Sequence, residues 1–166
     1  MALYLATMLI SLGIRLDNSD IMIIIQWPLQ LLTTILIFLE SKESFYYREV
    51  VRGMVLIDEI RGRLAEVFSL KTHKIDHVVH GAIASIATYG ALMNASVEEI
   101  ESAIGIFVAH YIPFRAIRAG KQLSDSKGAS AALSTEAAIQ CINRAIRGFS
   151  GPKDIFRNPE AIFRLF

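Results

Sequence analysis

The sequence of 166 residues predicts an all-α fold, a helical bundle around one packed core. From residue 43 onward, apolar side chains recur at helical spacing, and no segment shows the convincing alternation of a half-buried strand. The hydrophobic fraction is 53%, slightly above the usual range of about 45 to 50%, which argues against disorder. A chain of this length can bury a real core, so we expect one domain or a piece of one.

The first predicted helix runs from about residue 44 to 69. Its apolar residues repeat at intervals of three, four or seven and form one stripe: Val50, Met54, Ile57, Leu64 and Phe68. Its charged residues are interpreted as a solvated face without a chemical role: Arg48, Glu49, Arg52, Asp58 and Arg61.

The second predicted helix, from about residue 77 to 93, is rich in small side chains. They are Gly81, Ala82, Ala84, Ser85, Ala87, Gly90 and Ala91. Small residues let another backbone approach closely, although each glycine costs the helix about 1 kcal/mol relative to alanine. We therefore expect this helix to be central.

Capping and termination signals define the later helices. Ser96 followed by Glu99 is a capping box that begins a third helix, which Pro113 closes. A fourth helix is predicted from about residue 127 to 147, ended by glycines and Pro152. The sequence NPEAIF predicts a short last helix, with Asn158 as its N-cap and Pro159 in its first turn.

The amino-terminal part contains a long uncharged run, from Ile21 to Leu39. A helix over these 19 residues would nearly cross a bilayer. Gln26, Pro28 and Gln30 interrupt the run, and no basic cluster flanks it to set a topology. We favour a buried helix or an incompletely folded segment over a membrane span, and we divide the chain into a diverged apolar segment, 1–42, and a helical domain, 43–166.

Charge and cysteine content exclude several classes of function. Lysine and arginine total 17 against 16 acidic residues, so no global field would draw the chain to nucleic acid or an anionic membrane. The single cysteine, Cys141, excludes an intrachain disulfide and provides no thiolate zinc pattern. It is interpreted as a small buried residue in a protein of the reducing cytoplasm.

The first candidate site is the loop and helix start KIDHVVHGAIAS, which holds His77 and His80. Their spacing of three places both near one side of the opening turn. The chain has no clear HExxH or paired-cysteine pattern, so we expect no metal there. A histidine at a helix start can also serve simply as a polar cap.

The second candidate site is FRAIRAGKQLSDSKGASAA, where Arg115, Arg118, Lys121 and Lys127 lie within thirteen positions against one acid, Asp125. A helix amino terminus has free N–H donors and partial positive charge, so this junction favours a carboxylate or a phosphate. The alternative is a solvated basic loop. The small residues after Lys127 leave room for a ligand and favour the anion site.

Several ordered motifs resemble one protein family. They are REVVRGMVLIDEIRGRLAE, IDHVVHGAIASIA, FRAIRAGKQLSDSKGASAALSTEAA and RAIRGFSGPKDIFRNPEAIF, which span about residues 47 to 166. Together they resemble the MmgE/PrpD family, particularly its 2-methylcitrate dehydratases. The resemblance implies an all-helical domain joined to a smaller α+β lid, with a metal-free active site between the two. It also implies dehydration of 2-methylcitrate or a related tricarboxylate, or decarboxylation of cis-aconitate, usually by a dimer.

The resemblance assigns roles to particular residues. His77 is similar to the active-site histidine of the family. Lys127, at the start of the fourth predicted helix, is similar to the lysine that begins a helix of small residues in the family. Arg115 and Arg118 resemble an arginine pair that would bind substrate carboxylates. Upstream, the sequence RLDNSD places Asp17 at about the position of an aspartate-rich stretch of the family, where it would act as a base or orient the histidine. The following sequence, IMIIIQWPLQ, has no histidine, whereas the family has a His-Pro-Ser element there.

These observations predict a truncated or diverged member of the family, without the lid domain. The expected activity is a hydro-lyase of the 2-methylcitrate dehydratase type, with no cofactor, a small tricarboxylate substrate and a homodimeric state. Two alternatives stay open. The chain could be an inactive helical fragment that dimerises or pairs with a full-length relative, or a fragment anchored to a membrane by residues 21–39.

Overall fold

The computed structural model of the chain describes Thr34, residues 47–118 and residues 125–161. Residues 47–118 and 125–161 contain four α-helices: α1 (Tyr47–Val67), α2 (Val78–Leu92), α3 (Val97–His110) and α4 (Ser126–Ile146). Two 3-10 turns, Leu70–His73 and Arg115–Arg118, lie in the connections. An isolated antiparallel bridge joins Ile75 to Phe114. The all-α prediction is confirmed.

Helix α2 is the centre of the bundle. It packs against α1, α3 and α4, and almost all of its residues are buried. At Gly90, an added Cβ would lie 2.7 Å from Cγ1 of Ile100 in α3 and 3.3 Å from Cδ1 of Ile142 in α4. The small side chains of α2 thus let neighbouring helices approach closely, as its composition predicts.

Contacts at two glycines show how α2 lies against its neighbours. Gly53, near the beginning of α1, faces Leu92 at the end of α2, so α1 and α2 run in opposite directions. Helices α2 and α4 share the most extensive contact in the described structure and meet at Gly90 and Ile142, near both carboxyl ends.

Local hydrogen bonds set the helix ends. The Ser96 hydroxyl accepts from the Glu99 N–H at 3.1 Å, and the Glu99 carboxylate accepts from the Ser96 N–H at 2.7 Å, which confirms the predicted capping box. After α4, Gly148 has φ +89°, and the Phe149 N–H donates to the Arg144 carbonyl at 3.0 Å. This Schellman ending needs a left-handed residue at position 148, where glycine is the least strained choice.

The segment predicted as a short last helix falls only partly within the described residues. The Asn158 side chain accepts from the Glu160 N–H at 2.9 Å, as an N-cap does, and the Ala161 N–H donates to the Asn158 carbonyl at 3.0 Å. The described structure here is a turn, and residues 162–166 lie outside it.

Helix α1 corrects part of the sequence interpretation. Met54, predicted on the buried stripe, is 41% exposed, whereas Arg61, predicted on the solvated face, is only 3% exposed. Arg61 follows the buried Ile57 by four positions and precedes Leu64 by three, so helical geometry puts all three on one face. The charge of Arg61 suggested a solvated position, but its place in the helical repeat determines its burial.

One residue of the uncharged amino-terminal run is described. Thr34 is helical and fully buried, and its hydroxyl donates to the Ser85 hydroxyl of α2 at 3.0 Å. This position therefore contacts the central helix. The rest of the run from 21 to 39, and the predicted boundary at residue 42, lie outside the described residues. In the part of the chain that is described, no helix has both the length and the apolar character needed to cross a bilayer.

Two glycine substitutions should have opposite effects on stability. At Gly105, an added Cβ would overlap the backbone carbonyl oxygen of Pro152, which cannot move aside as a flexible side chain could. Gly105→Ala should therefore lower the free energy of unfolding by about 1 to 3 kcal/mol. Gly62→Ala, in the middle of α1 with no atom within 4 Å of the added Cβ, should raise it by about 0.5 to 1 kcal/mol. Urea denaturation of both variants measures the difference, and equal stability would contradict the described packing of α3 against Pro152.

Candidate functional site

A cavity of about 230 Å³ opens where the end of α1 meets the start of α2. Its walls come from α1, from the segment 68–71 that follows it, and from α2. The lining residues are Arg61, Ala65, Phe68, Ser69, Leu70, Lys71, His77 and His80. Four of these side chains are basic and none is acidic, so the cavity suits an anion better than a cation.

His77 is held by a buried carboxylate. Its Nδ1 lies 3.2 Å from Oδ1 of Asp76, which is fully buried. The same oxygen accepts from the Val78 N–H at 3.1 Å, so Asp76 caps the first turn of α2. Although His77 occupies the N-cap position, its side chain makes no capping hydrogen bond. It is therefore not the simple polar cap that the sequence left open.

This arrangement directs the chemistry of the His77 ring. With its proton on Nδ1 and shared with Asp76, neutral His77 presents Nε2 as a hydrogen-bond acceptor. The side chain is 24% exposed and lines the cavity, while the carboxylate beneath it is shielded from water. A histidine in this environment can take a proton at Nε2 and return it, because the carboxylate stabilises the imidazolium that forms in between.

Backbone hydrogen bonds place segment 113–115, which ends at Arg115, beside segment 74–76, which precedes His77. The Asp76 N–H donates to the Pro113 carbonyl at 2.9 Å, and the Arg115 N–H donates to the Lys74 carbonyl at 2.7 Å. Together with the bridge between Ile75 and Phe114, these bonds join segments 74–76 and 113–115. Residues 37 to 41 positions apart along the chain thus lie next to each other.

The other predicted site residues differ in how much of them is described. Arg115 is half-buried, and the turn Arg115–Arg118 that it begins contacts α4. For Arg118 the backbone position is described, at the end of that turn. Lys127 is half-buried in the first turn of α4. Asp17 and Lys121 lie outside the described residues.

His80 is buried beneath the cavity, with 8% of its surface exposed. Burial and, to a smaller extent, the nearby Arg61 charge lower its pKa from 6.5 to about 4, against a hydrogen bond with the Phe68 backbone that acts to raise it. Its Nε2 has no hydrogen-bond partner among the described residues. His80 is therefore neutral near pH 7 and has an unused acceptor atom.

Arg61 is the residue that the sequence interpretation missed. Burial lowers the pKa of its guanidinium to about 9, although the nearby carboxylate of Asp58 acts to raise it. Arg61 is still protonated at neutral pH, so the cavity contains a permanent positive charge away from bulk water. The signal was present in the sequence, because Arg61 lies four positions after Ile57 on the buried face.

Metal and thiol chemistry have little support in the described ranges. Across residues 47–118 and 125–161, no group of three or more histidine, cysteine or acidic side chains could hold a metal ion. Cys141 is fully buried in α4, and burial raises the pKa of its thiol to about 11 even though Arg144 acts to lower it. Its interpretation as a small buried helix residue is confirmed.

The low pKa of His80 predicts a loss of stability in acid. Well above pH 6.5 the histidine is neutral in both the folded and the unfolded chain and has no effect. As the pH falls from 6.5 through about 4, the unfolded chain takes up a proton before the folded one does, so the free energy of unfolding should fall by up to about 3 kcal/mol.

Denaturation at a series of pH values measures this loss. His80→Gln should remove that part of the pH dependence, whereas His110→Gln, at an exposed position in α3, should keep it. If wild type and His80→Gln lose stability in parallel between pH 6.5 and 4, burial of His80 is not the cause.

A comparison with known protein families identifies the family of this chain. The model of the MmgE/PrpD N-terminal domain matches residues 23–166. The match begins earlier than residue 47, where the sequence motifs begin, and it includes most of the uncharged run from 21 to 39. The family comprises dehydratases and implies a tricarboxylate substrate. Because the match covers most of the chain, this protein belongs to the MmgE/PrpD family.

Proposed function

We propose that this protein is a cytoplasmic, homodimeric hydro-lyase of the 2-methylcitrate dehydratase type. In this reaction a β-hydroxy tricarboxylate loses water and becomes an unsaturated tricarboxylate. Family membership supports the reaction class. The observation that most supports a catalytic role is the His77 ring, which is hydrogen-bonded to the buried Asp76 and faces a cavity lined by basic side chains.

The reaction needs a base, an acid and cations. A C–H bond beside a carboxylate breaks, its electron pair forms the new double bond, and the hydroxyl on the next carbon leaves as water after it receives a proton. Nε2 of His77 would take the carbon-bound proton or supply the one that leaves with the hydroxyl. Both roles are accessible to an imidazole near neutral pH, and each is worth about 10² to 10⁴ in rate.

The remaining proposed residues bind and orient the substrate. Arg115 and Arg118 would pair with its carboxylates, since a guanidinium binds a carboxylate through two parallel hydrogen bonds. Lys127, in the first turn of α4, would add a positive charge to the free N–H groups of that helix end. Asp17 is proposed as a second base or as a further group that orients His77. The joined segments 74–76 and 113–115 support a common location for His77 and Arg115.

Turnover of 2-methylcitrate to 2-methylaconitate by the purified chain, without added metal, tests the proposal. His77→Ala should lower kcat by at least about 100-fold, because it removes the acid–base group. His110→Ala is the matched control, since that exposed histidine lies outside the cavity. Light scattering on the same samples should show a dimer. A folded dimer without turnover would replace this proposal with the alternative of an inactive helical fragment.

Asp76→Asn tests whether the buried carboxylate assists catalysis. The amide oxygen can still accept from the Val78 N–H, so we expect the fold to persist, but the variant has no negative charge to stabilise the imidazolium. We expect kcat to fall by at least about tenfold with little change in KM, because the effect belongs to the transition state. A normal kcat in the folded variant would reduce Asp76 to a structural cap.

A further inference from the structure

We propose that the cavity between α1 and α2 is a carboxylate subsite, in which Arg61 and His80 bind one carboxylate of a small polycarboxylic acid while the rest of the molecule lies at His77. The choice of ligand rests on the proposed function. The subsite itself is inferred from Arg61, which the motif resemblance did not include, and from His80.

The charge in the cavity favours an anion. Arg61 on α1 is 3% exposed, and Lys71, His77 and His80 complete a basic lining without an acidic member among the described residues. A charged group in a buried position loses hydration, and an oppositely charged ligand that hydrogen-bonds to it offsets that loss. A guanidinium is the side chain best suited to a carboxylate, because its planar donors match the two carboxylate oxygens.

His80 adds a second, independent feature. More than nine-tenths of this residue is buried, it lines the same cavity, and its Nε2 lacks a hydrogen-bond partner among the described residues. A buried polar atom in this state is unfavourable, so a function is a reasonable explanation for its presence. When Nε2 takes up a proton from solvent, it becomes a donor to a carboxylate oxygen.

Ligand binding should therefore be coupled to proton uptake. In the absence of a ligand, burial and the Arg61 charge keep the pKa of His80 near 4. A bound carboxylate would bring a negative charge beside the ring and raise that pKa, so affinity should increase as the pH falls. The other titratable or charged groups around the cavity, among the described residues, are Lys71, His77 with Asp76, and Asp58, which acts on Arg61.

The dimensions fit part of a small acid. A volume of about 230 Å³ corresponds to roughly eight water molecules and is smaller than the roughly 300 to 1,000 Å³ of common ligand pockets. Of the residues that line it, Leu70, Arg61 and His80 are buried, whereas Ser69 and Lys71 are exposed. One carboxylate-bearing arm would enter, and the remaining groups would stay near the half-buried His77.

Binding of tricarballylate to the full chain tests the subsite. This tricarboxylate has no hydroxyl group and cannot be dehydrated, so calorimetry measures binding alone. Arg61→Gln should weaken binding at least tenfold. Arg63→Gln is the matched control, because Arg63 lies two positions away on the same helix with a side chain that is 75% exposed and paired with Glu59. This control should bind as the wild type does.

Proton coupling is measured by repeating the titration in two buffers that differ in ionisation enthalpy. At pH 6, wild type should take up part of a proton on binding, and His80→Gln should lose this uptake.

If Arg61→Gln proves unfolded, Arg61→Lys keeps the charge but removes the planar guanidinium donors, and it should still bind several-fold more weakly. Wild-type affinity in a folded Arg61 variant, absence of proton uptake by wild type, or failure of wild type to bind tricarballylate would each overturn the subsite.

These outcomes are separable from those of the proposed function. Arg61-dependent binding of tricarballylate with no turnover of 2-methylcitrate would support the subsite and overturn the hydro-lyase. Turnover that persists unchanged in Arg61→Gln would support the hydro-lyase and overturn the subsite.

Discussion

The carboxylate of Asp76 connects the fold of this chain to its candidate site. One of its oxygens accepts from the Val78 N–H and lies within hydrogen-bond distance of the His77 ring. The backbone N–H of the same residue donates to Pro113. A buried acid is costly unless its hydrogen bonds are satisfied. Asp76 meets this requirement while it begins the central helix, orients the candidate acid–base group and attaches the loop of Arg115.

The packing of the bundle determines which residues can share a site. Because α2 consists largely of small side chains, α3 and α4 approach it closely at Gly90. The opposite end of α2, where His77 and His80 lie, packs against the end of α1 and forms the cavity between them.

Much of the fold could be predicted from local sequence signals. Periodicity, the Ser96 capping box and the glycine after α4 depend on interactions within a few residues, and the observed helices begin and end close to the predicted positions. His77 and Arg115 were also identified from sequence, through the family motifs. Their chemical roles remain predictions.

The parts that sequence could not provide depend on tertiary contacts. Asp76 appears in the motif as an ordinary loop aspartate, and only the docking of segment 113–115 shows that it is buried beneath His77. Arg61 was misplaced because a charged residue normally faces water, whereas its helical position faces the core. His80 was identified in sequence, but the lack of a described partner for its Nε2 depends on how α1 and segment 68–71 pack against α2.

The bridge between Ile75 and Phe114 has a consequence for how this region can change during evolution. The bonds that join the two loops use only main-chain N–H and carbonyl groups, and the Phe114 side chain is 64% exposed. Substitution at such a position alters surface chemistry without removing a bond of the pair. Relatives could therefore have a different side chain at position 114 and still keep the same distance between His77 and Arg115.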